Sequence, residues 1–210
     1  MNSQDRNRRN KRNASHSREE LASPLGNSGQ FSRFALDGAL LALLLPEPDH
    51  GYDLYQLFQE ILGTIWRVGR SRLYAVLTAL ADKGLLSVTL EPQQDKPARK
   101  VFTLTETGRR QAEAWLRTPV SPPRRIRVEL ISKLALLDYL ELPWTDELLS
   151  AQIATCEDAL EWADRRYDEN SSSSIERLTW SYRQAQLRAT LDWLEESRNA
   201  LRVGHGESRR

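Results

Sequence analysis

The stretch WRVGRSRLYAVLTALADKGLL, residues 66–86, decides how this chain is read. Leu73, Val76, Leu77 and Leu80 stand at i, i+3, i+4 and i+7, the buried stripe of a helix over about 71–83. Gly84 ends it. The opposite face carries Ser71, Arg72, Ala75, Thr78, Ala79 and Asp82. Surface helices usually cover that face with long Lys and Glu side chains; here the side chains are short except at the two ends. Small residues let a helix approach a surface closely, and the DNA major groove is wide enough to admit one. Packing against protein on both faces is the other use of such a helix. Arg67, Arg70 and Arg72 crowd the entrance, where the positive end of the helix dipole disfavours cations. Recognition helices present their base-contacting residues from that end.

Working outward, residues 32–45 have helical composition and stop at the PEP of 46–48. A second helix opens after Asp49 and His50, carries an apolar stripe of Leu54, Leu57, Phe58, Ile61 and Leu62, and stops at Gly63. Beyond Gly84 the period changes. LLSVTLE and KVFTLT read as strands 85–91 and 100–105, with the polar PQQDKPAR as the hairpin tip. Thr105 opens a fourth helix to about Leu116. Helix, helix, helix, strand, strand, helix is the order of a winged helix-turn-helix with a two-stranded wing. In that design one helix enters the groove and the hairpin contacts flanking backbone, where Lys96, Arg99 and Lys100 would fall.

The proline-rich RTPVSPPRR, 117–125, is the best domain boundary. Beyond it the chain is all helical. One helix covers about 124–141, with Leu130, Leu134 and Leu137 on a face. The next begins near Trp144 and places Leu149, Ile153, Cys156, Leu160, Ala163 and Tyr167 at alternating spacings of four and three. NSSSS, 170–174, breaks it. The last places Trp180, Gln184, Leu187, Leu191, Leu194, Arg198 and Leu201 in the same alternation. Long amphipathic helices with such seams need a partner helix. The chain therefore divides into a basic tail (1–30), a winged-helix domain (31–118) and a helical domain (119–210), mainly α throughout.

The net charge of +1 hides an uneven distribution. Residues 66–110 carry nine cations against four acids, and residues 1–30 six against three; residues 31–65 carry one against five. A local basic excess is an electrostatic footprint for a polyanion. The tail, rich in Asn, Ser and Arg, buries too little to order itself, and reads as solvated or as an arm adding phosphate contacts. The lone cysteine, Cys156, excludes an intrachain disulfide and lies on an apolar stripe. The longest apolar run, FALDGALLALLLP (34–46), falls far short of the roughly 20 residues a membrane span needs, and no cleavage site follows. The expectation is a cytoplasmic protein with no membrane association.

Nothing argues for catalysis. The histidines, His16, His50 and His205, have no neighbours at metal-ligand spacing. No Cys pair, GxSxG or glycine-rich phosphate loop is present. Acidic pairs such as Glu157–Asp158 lie on solvated helix faces. No enzyme, metal site or cofactor is expected.

Three segments, ALLALLLPEPDHGYDLYQLF, WRVGRSRLYAVLTALADKGLL and ARKVFTLTETGRR, together resemble the PadR family of bacterial transcriptional regulators over about residues 34–117. RVELISKLALLDYL and YRQAQLRATLDWLEESRNAL resemble the longer C-terminal domain of its virulence-regulator-like branch. The resemblance implies a homodimer clasped through C-terminal helices, repressing or activating from a palindromic site on double-stranded DNA. It further implies phosphate contacts from Tyr52 and Tyr74, and in some relatives a small aromatic effector between subunits. The six tryptophans suit such an effector or plain packing; Trp180, on the seam, favours packing. The turn before the recognition helix departs from the family: Gly69, Arg70 and Ser71 stand where a Ser-Pro-Gly-like turn is common, and Arg72 where a small or amide residue is common. Arg70, Ser71 and Arg72 are the expected base readers, with Thr78 beside them and Arg67 nearer the backbone. The alternatives are a winged helix used for protein contact, or an effector sensor without direct DNA readout.

Overall fold

The computed structural model describes residues 28–46, 49–93, 96–121, 125–169 and 173–207. Of the tail expectation, residues 1–30, only 28–30 are described, and they open α1 rather than remain unstructured; residues 1–27 and the hairpin tip, 94–95, lie outside the described residues. The elements are α1 (Ser28–Leu43), β1 (Asp49–His50), α2 (Gly51–Leu62), α3 (Arg70–Asp82), β2 (Leu86–Gln93), β3 (Lys96–Leu104), α4 (Glu106–Arg117), α5 (Ile126–Tyr139), α6 (Thr145–Glu169) and α7 (Ser174–Glu207). A single compact unit runs from Ala35 onward, and α1 from that point is buried on every side: Leu36, Ala39, Leu40, Leu41 and Ala42 are wholly enclosed. A helix apolar all round is one that sits inside a core. Its one acid, Asp37, is buried and receives the Lys83 ammonium at 3.3 Å.

The end of α3 explains Gly84. Leu85 N–H donates to Leu80 O (3.0 Å) and Gly84 N–H to Ala81 O (2.8 Å), the paired bonds of a Schellman turn. That turn needs a left-handed residue, and Gly84 has φ +70°. The same device closes α5, with Leu142 N–H on Leu137 O (3.0 Å) and Glu141 N–H on Asp138 O (3.1 Å), but there Glu141 holds φ +51°. An L-residue in that region costs about 1–2 kcal/mol, part of which glycine returns as chain entropy. Glu141→Gly should therefore stabilise the fold by about 0.5–1 kcal/mol, read as a higher urea midpoint at unchanged slope.

The wing is longer than its sequence pattern. β2 and β3 pair antiparallel from Leu86↔Leu104 to Gln93↔Lys96, so most of the polar PQQDKPAR is strand rather than tip. Pro92 is tolerated because β2 is an edge strand and the register is irregular between Glu91 and Gln93. At the wing's base, β1 adds a third strand by pairing Asp49↔Phe102 and His50↔Val101. Thr105 caps α4 by accepting from Gly108 N–H at 3.0 Å, as its position predicts.

The proline-rich segment after α4 is pinned. Gln152 of α6 accepts from Val120 N–H (2.6 Å) and donates to Val120 O (3.1 Å). Lys133 of α5, 1% exposed, donates to Thr118 O at 2.6 Å and lies 4.9 Å from the centroid of the Trp115 ring. Beside it, buried Glu129 accepts from Trp115 Nε1 (3.2 Å) and pairs with Lys133 (3.6 Å) and Arg125 (2.5 Å). α6 and α7 pack along the expected seam, Leu187 and Leu194 buried, with Gln184 donating to Asp164 at 2.8 Å. Ser173 and Glu176 form a capping box at the start of α7, Glu176 N–H donating to Ser173 Oγ and Ser173 N–H to Glu176 Oε2. Cys156 is buried, and desolvation raises its thiol pKa above the ordinary value. Among the described residues no helix is long and apolar enough to cross a membrane, and no cluster could hold a metal ion.

Candidate nucleic-acid interface

The turn entering α3 is held from within. Gln59 of α2 donates to Val68 O at 3.2 Å, Trp66 N–H donates to Leu62 O, and the Phe58 and Trp66 rings meet at 5.8 Å. Val68 is buried, so Arg67 between it and Trp66 stands exposed. Gly69 is the N-cap and offers no side-chain bond, and no acid lies in the first turn. The first helical bond is Leu73 N–H to Gly69 O, which leaves the N–H groups ahead of Leu73 without helical partners. A helix start whose N-cap side chain makes no bond favours an anion.

On α3 the stripe is as read: Leu73, Val76, Leu77 and Leu80 are buried. Arg70, Ser71, Arg72, Ala75, Thr78 and Asp82 are exposed, and Ala79 is half-buried. The helix therefore presents one outer face, short in its middle and cationic at its start. Thr78 donates its hydroxyl to Tyr74 O at 3.0 Å. Its lone pairs and methyl remain for a ligand, so a base it met would offer an amino group or a thymine methyl. Tyr74 is half-buried. The side chain of Tyr52 lies outside the described residues.

The wing separates two residues that the sequence groups together. Arg99 lies opposite Glu91 and Lys100 opposite Leu90. Adjacent strand residues face opposite sides of a sheet, so Arg99 and Lys100 do not share a face. Lys100 shares its face with the exposed Val88 and Leu90 and with the buried Phe102. Lys96 is in register with Gln93, and its side chain is outside the described residues.

One contact escapes the sequence. The Arg70 guanidinium carbon lies 5.0 Å from the centroid of the Tyr55 ring on α2. The two residues are fifteen apart on different elements, and no spacing rule connects them. The tryptophans are mostly spent on packing. Trp115 serves Glu129 and Lys133, Trp144 lies beneath Arg117, and Trp162 meets Trp180 edge-on at 5.2 Å. An open cleft of about 460 Å³ lies beside Trp115, lined also by Gln111, Thr118, Ser121 and Arg125.

The family model described as the transcriptional regulator PadR-like family matches residues 40–114. Residues 40–114 are thus similar to a PadR-like domain. The chain is similar to the negative transcriptional regulator PadR of Bacillus subtilis, 29% identical over 115 residues, which cover 55% of this chain and 63% of that protein. It is also similar to the probable transcriptional regulator Rv1176c of Mycobacterium tuberculosis, 28% identical over 90 residues, covering 43% and 48%. The chain thus spans between about half and under two thirds of the length of these curated relatives. Among solved structures, Bacillus subtilis PadR in complex with operator DNA aligns at 23% identity and TM-score 0.40, over 79% of this chain and 97% of that one. The Vibrio cholerae virulence activator AphA aligns at 20% and TM-score 0.36, over 80% and 98%. The matched residues contain α3 and the wing, and so every residue of the candidate interface.

Proposed function

We propose that the chain is a sequence-specific DNA-binding transcriptional regulator, a cytoplasmic repressor that acts without catalysis, as a homodimer on a palindromic operator. The observation that carries this reading is the exposed face of α3, short at Ala75 and Thr78 and led by Arg70, Ser71 and Arg72 at an uncapped start. Arg70, Ser71 and Arg72 read bases, Thr78 lies farther along the same face, and Arg67, Tyr52 and Tyr74 meet backbone. Lys100, Arg99 and Lys96 bring the wing to flanking phosphates. Residues 31–118 form the DNA-binding part and 119–210 the dimerising part. α7 supports dimerisation: Ile175, Leu178 and Tyr182, spaced three and four apart, are 72%, 64% and 63% exposed on a face apart from the α6 seam. Exposed apolar stripes of this size mark association surfaces. A small aromatic effector would have the Trp115 side of the 460 Å³ cleft to stack on.

The test is a gel shift with duplex from the protein's own upstream region across a salt series. Affinity should fall steeply with salt as counterions are released. Arg72→Ala should cost about 1–3 kcal/mol and relax preference at one position per half-site, whereas Lys100→Ala should weaken all sequences alike. Half-sites should lie about 34–36 Å apart, or a multiple of that. If both substitutions leave binding untouched, the reading is wrong. Binding indifferent to salt would favour a protein-contact module instead.

A further inference from the structure

Arg70 occupies the first helical position of α3, where the dipole repels it, yet its guanidinium lies over an aromatic face. Tyr55 is half-buried and packed against the hydrophobic core, with Leu54 and Phe58 on the same helix fully enclosed. Its ring is therefore a fixed platform, while Arg70 itself is exposed. We propose that Tyr55 is a positioning residue for sequence discrimination, holding the plane of the Arg70 guanidinium so that its N–H edge meets one base pair per half-site. The inference rests on the DNA-binding reading.

The physical case has two parts. The negative face of the ring offsets the repulsion that the helix start imposes on a cation, so the stacked position is favoured before any DNA arrives. Arginine also reads guanine through a planar fork, and a fork held in one plane loses less freedom on binding than a free side chain. Stacking requires the ring and not the phenol hydroxyl. Lysine in place of Arg70 would keep the charge but not the plane.

Selection from a randomised duplex pool, followed by gel shifts on the selected and a non-selected duplex, tests this on the full-length protein. Tyr55→Leu and Arg70→Lys should each flatten preference at the same operator position, by about fivefold in relative affinity. Low-salt binding of the Tyr55→Leu protein to the non-selected duplex should be unchanged, and Tyr55→Phe should select the wild-type site. A Tyr55→Leu protein that keeps its preference there, or loses it at a different position from Arg70→Lys, overturns the inference and leaves the DNA-binding reading standing. Wild-type protein that selects no sequence overturns both. Should Tyr55→Leu fail to fold, Tyr55→Met takes its place: retained preference overturns the proposal, and preference lost at the same operator position as in Arg70→Lys supports it.

Discussion

Glu129→Ala should lower stability by about 3–5 kcal/mol, because it leaves a buried ammonium without its acid. The carboxylate is the shared partner of Trp115 Nε1, Lys133 and Arg125. Lys133 is almost wholly enclosed, at the floor of the cleft beside Trp115. Removing the acid leaves that ammonium with Thr118 O and an aromatic face only. Burial already pushes Lys133 down to about 8, and Glu129 is what pulls it back up. An amine whose folded pKa lies below its unfolded value of about 10.4 makes the fold gain stability as pH rises between the two. Without Glu129 that interval widens downward, so the variant should recover more than the wild type when the pH is raised from 7 to 9. Urea unfolding at both pH values measures this. A variant within about 1 kcal/mol of wild type at pH 7 would refute the account.

Gly108→Ala should cost about 3 kcal/mol, the upper end of overpacking losses. A β-carbon at this position would sit 2.0 Å from Leu85 O and 3.2 Å from Leu104 Cδ2. Leu85 O cannot retreat cheaply, because it accepts from both Thr105 N–H and Thr105 Oγ1, each at 3.1 Å. The glycine of the T-x-x-G motif is thus where α4 meets the end of α3 backbone to backbone. Gly69 provides the contrast. Nothing lies within 4 Å of a β-carbon there, and serine is a better N-cap than glycine, so Gly69→Ser should fold at least as well as wild type. Equal melting temperatures for Gly108→Ala and wild type would remove the argument.

The helices and the wing were legible because their signals are local. The α3 stripe, the Gly84 stop and the Thr105 cap each need only neighbours a few residues away, and each stands where its pattern places it. The rest depends on contacts that no periodicity carries. β1 is two residues long and has no alternation to read. The strands run on through PQQDKPAR because an edge tolerates Pro92, which composition alone marks as a turn. Glu129 and Lys133, four apart on a helix, have the spacing of an exposed ion pair. They are buried because α5 is enclosed on several sides, a property of its neighbours. The proposed base readers were visible as a face of α3; the ring against one of them was not, since Tyr55 and Arg70 meet only in three dimensions.

The join between α3 and the wing has one more effect. Leu85 is tied back to Leu80, Thr105 spans Gly84 and Leu85, and Lys83 is moored to Asp37. No slack loop separates the helix proposed to read bases from the hairpin proposed to grip the flanks. The protein is a caliper with its jaws fixed. In the proposed complex, any mismatch between that fixed span and relaxed DNA would fall on the duplex, which would have to bend or change groove width to close both contacts at once. Sequences that bend easily between the two contacts would be preferred at positions no side chain touches.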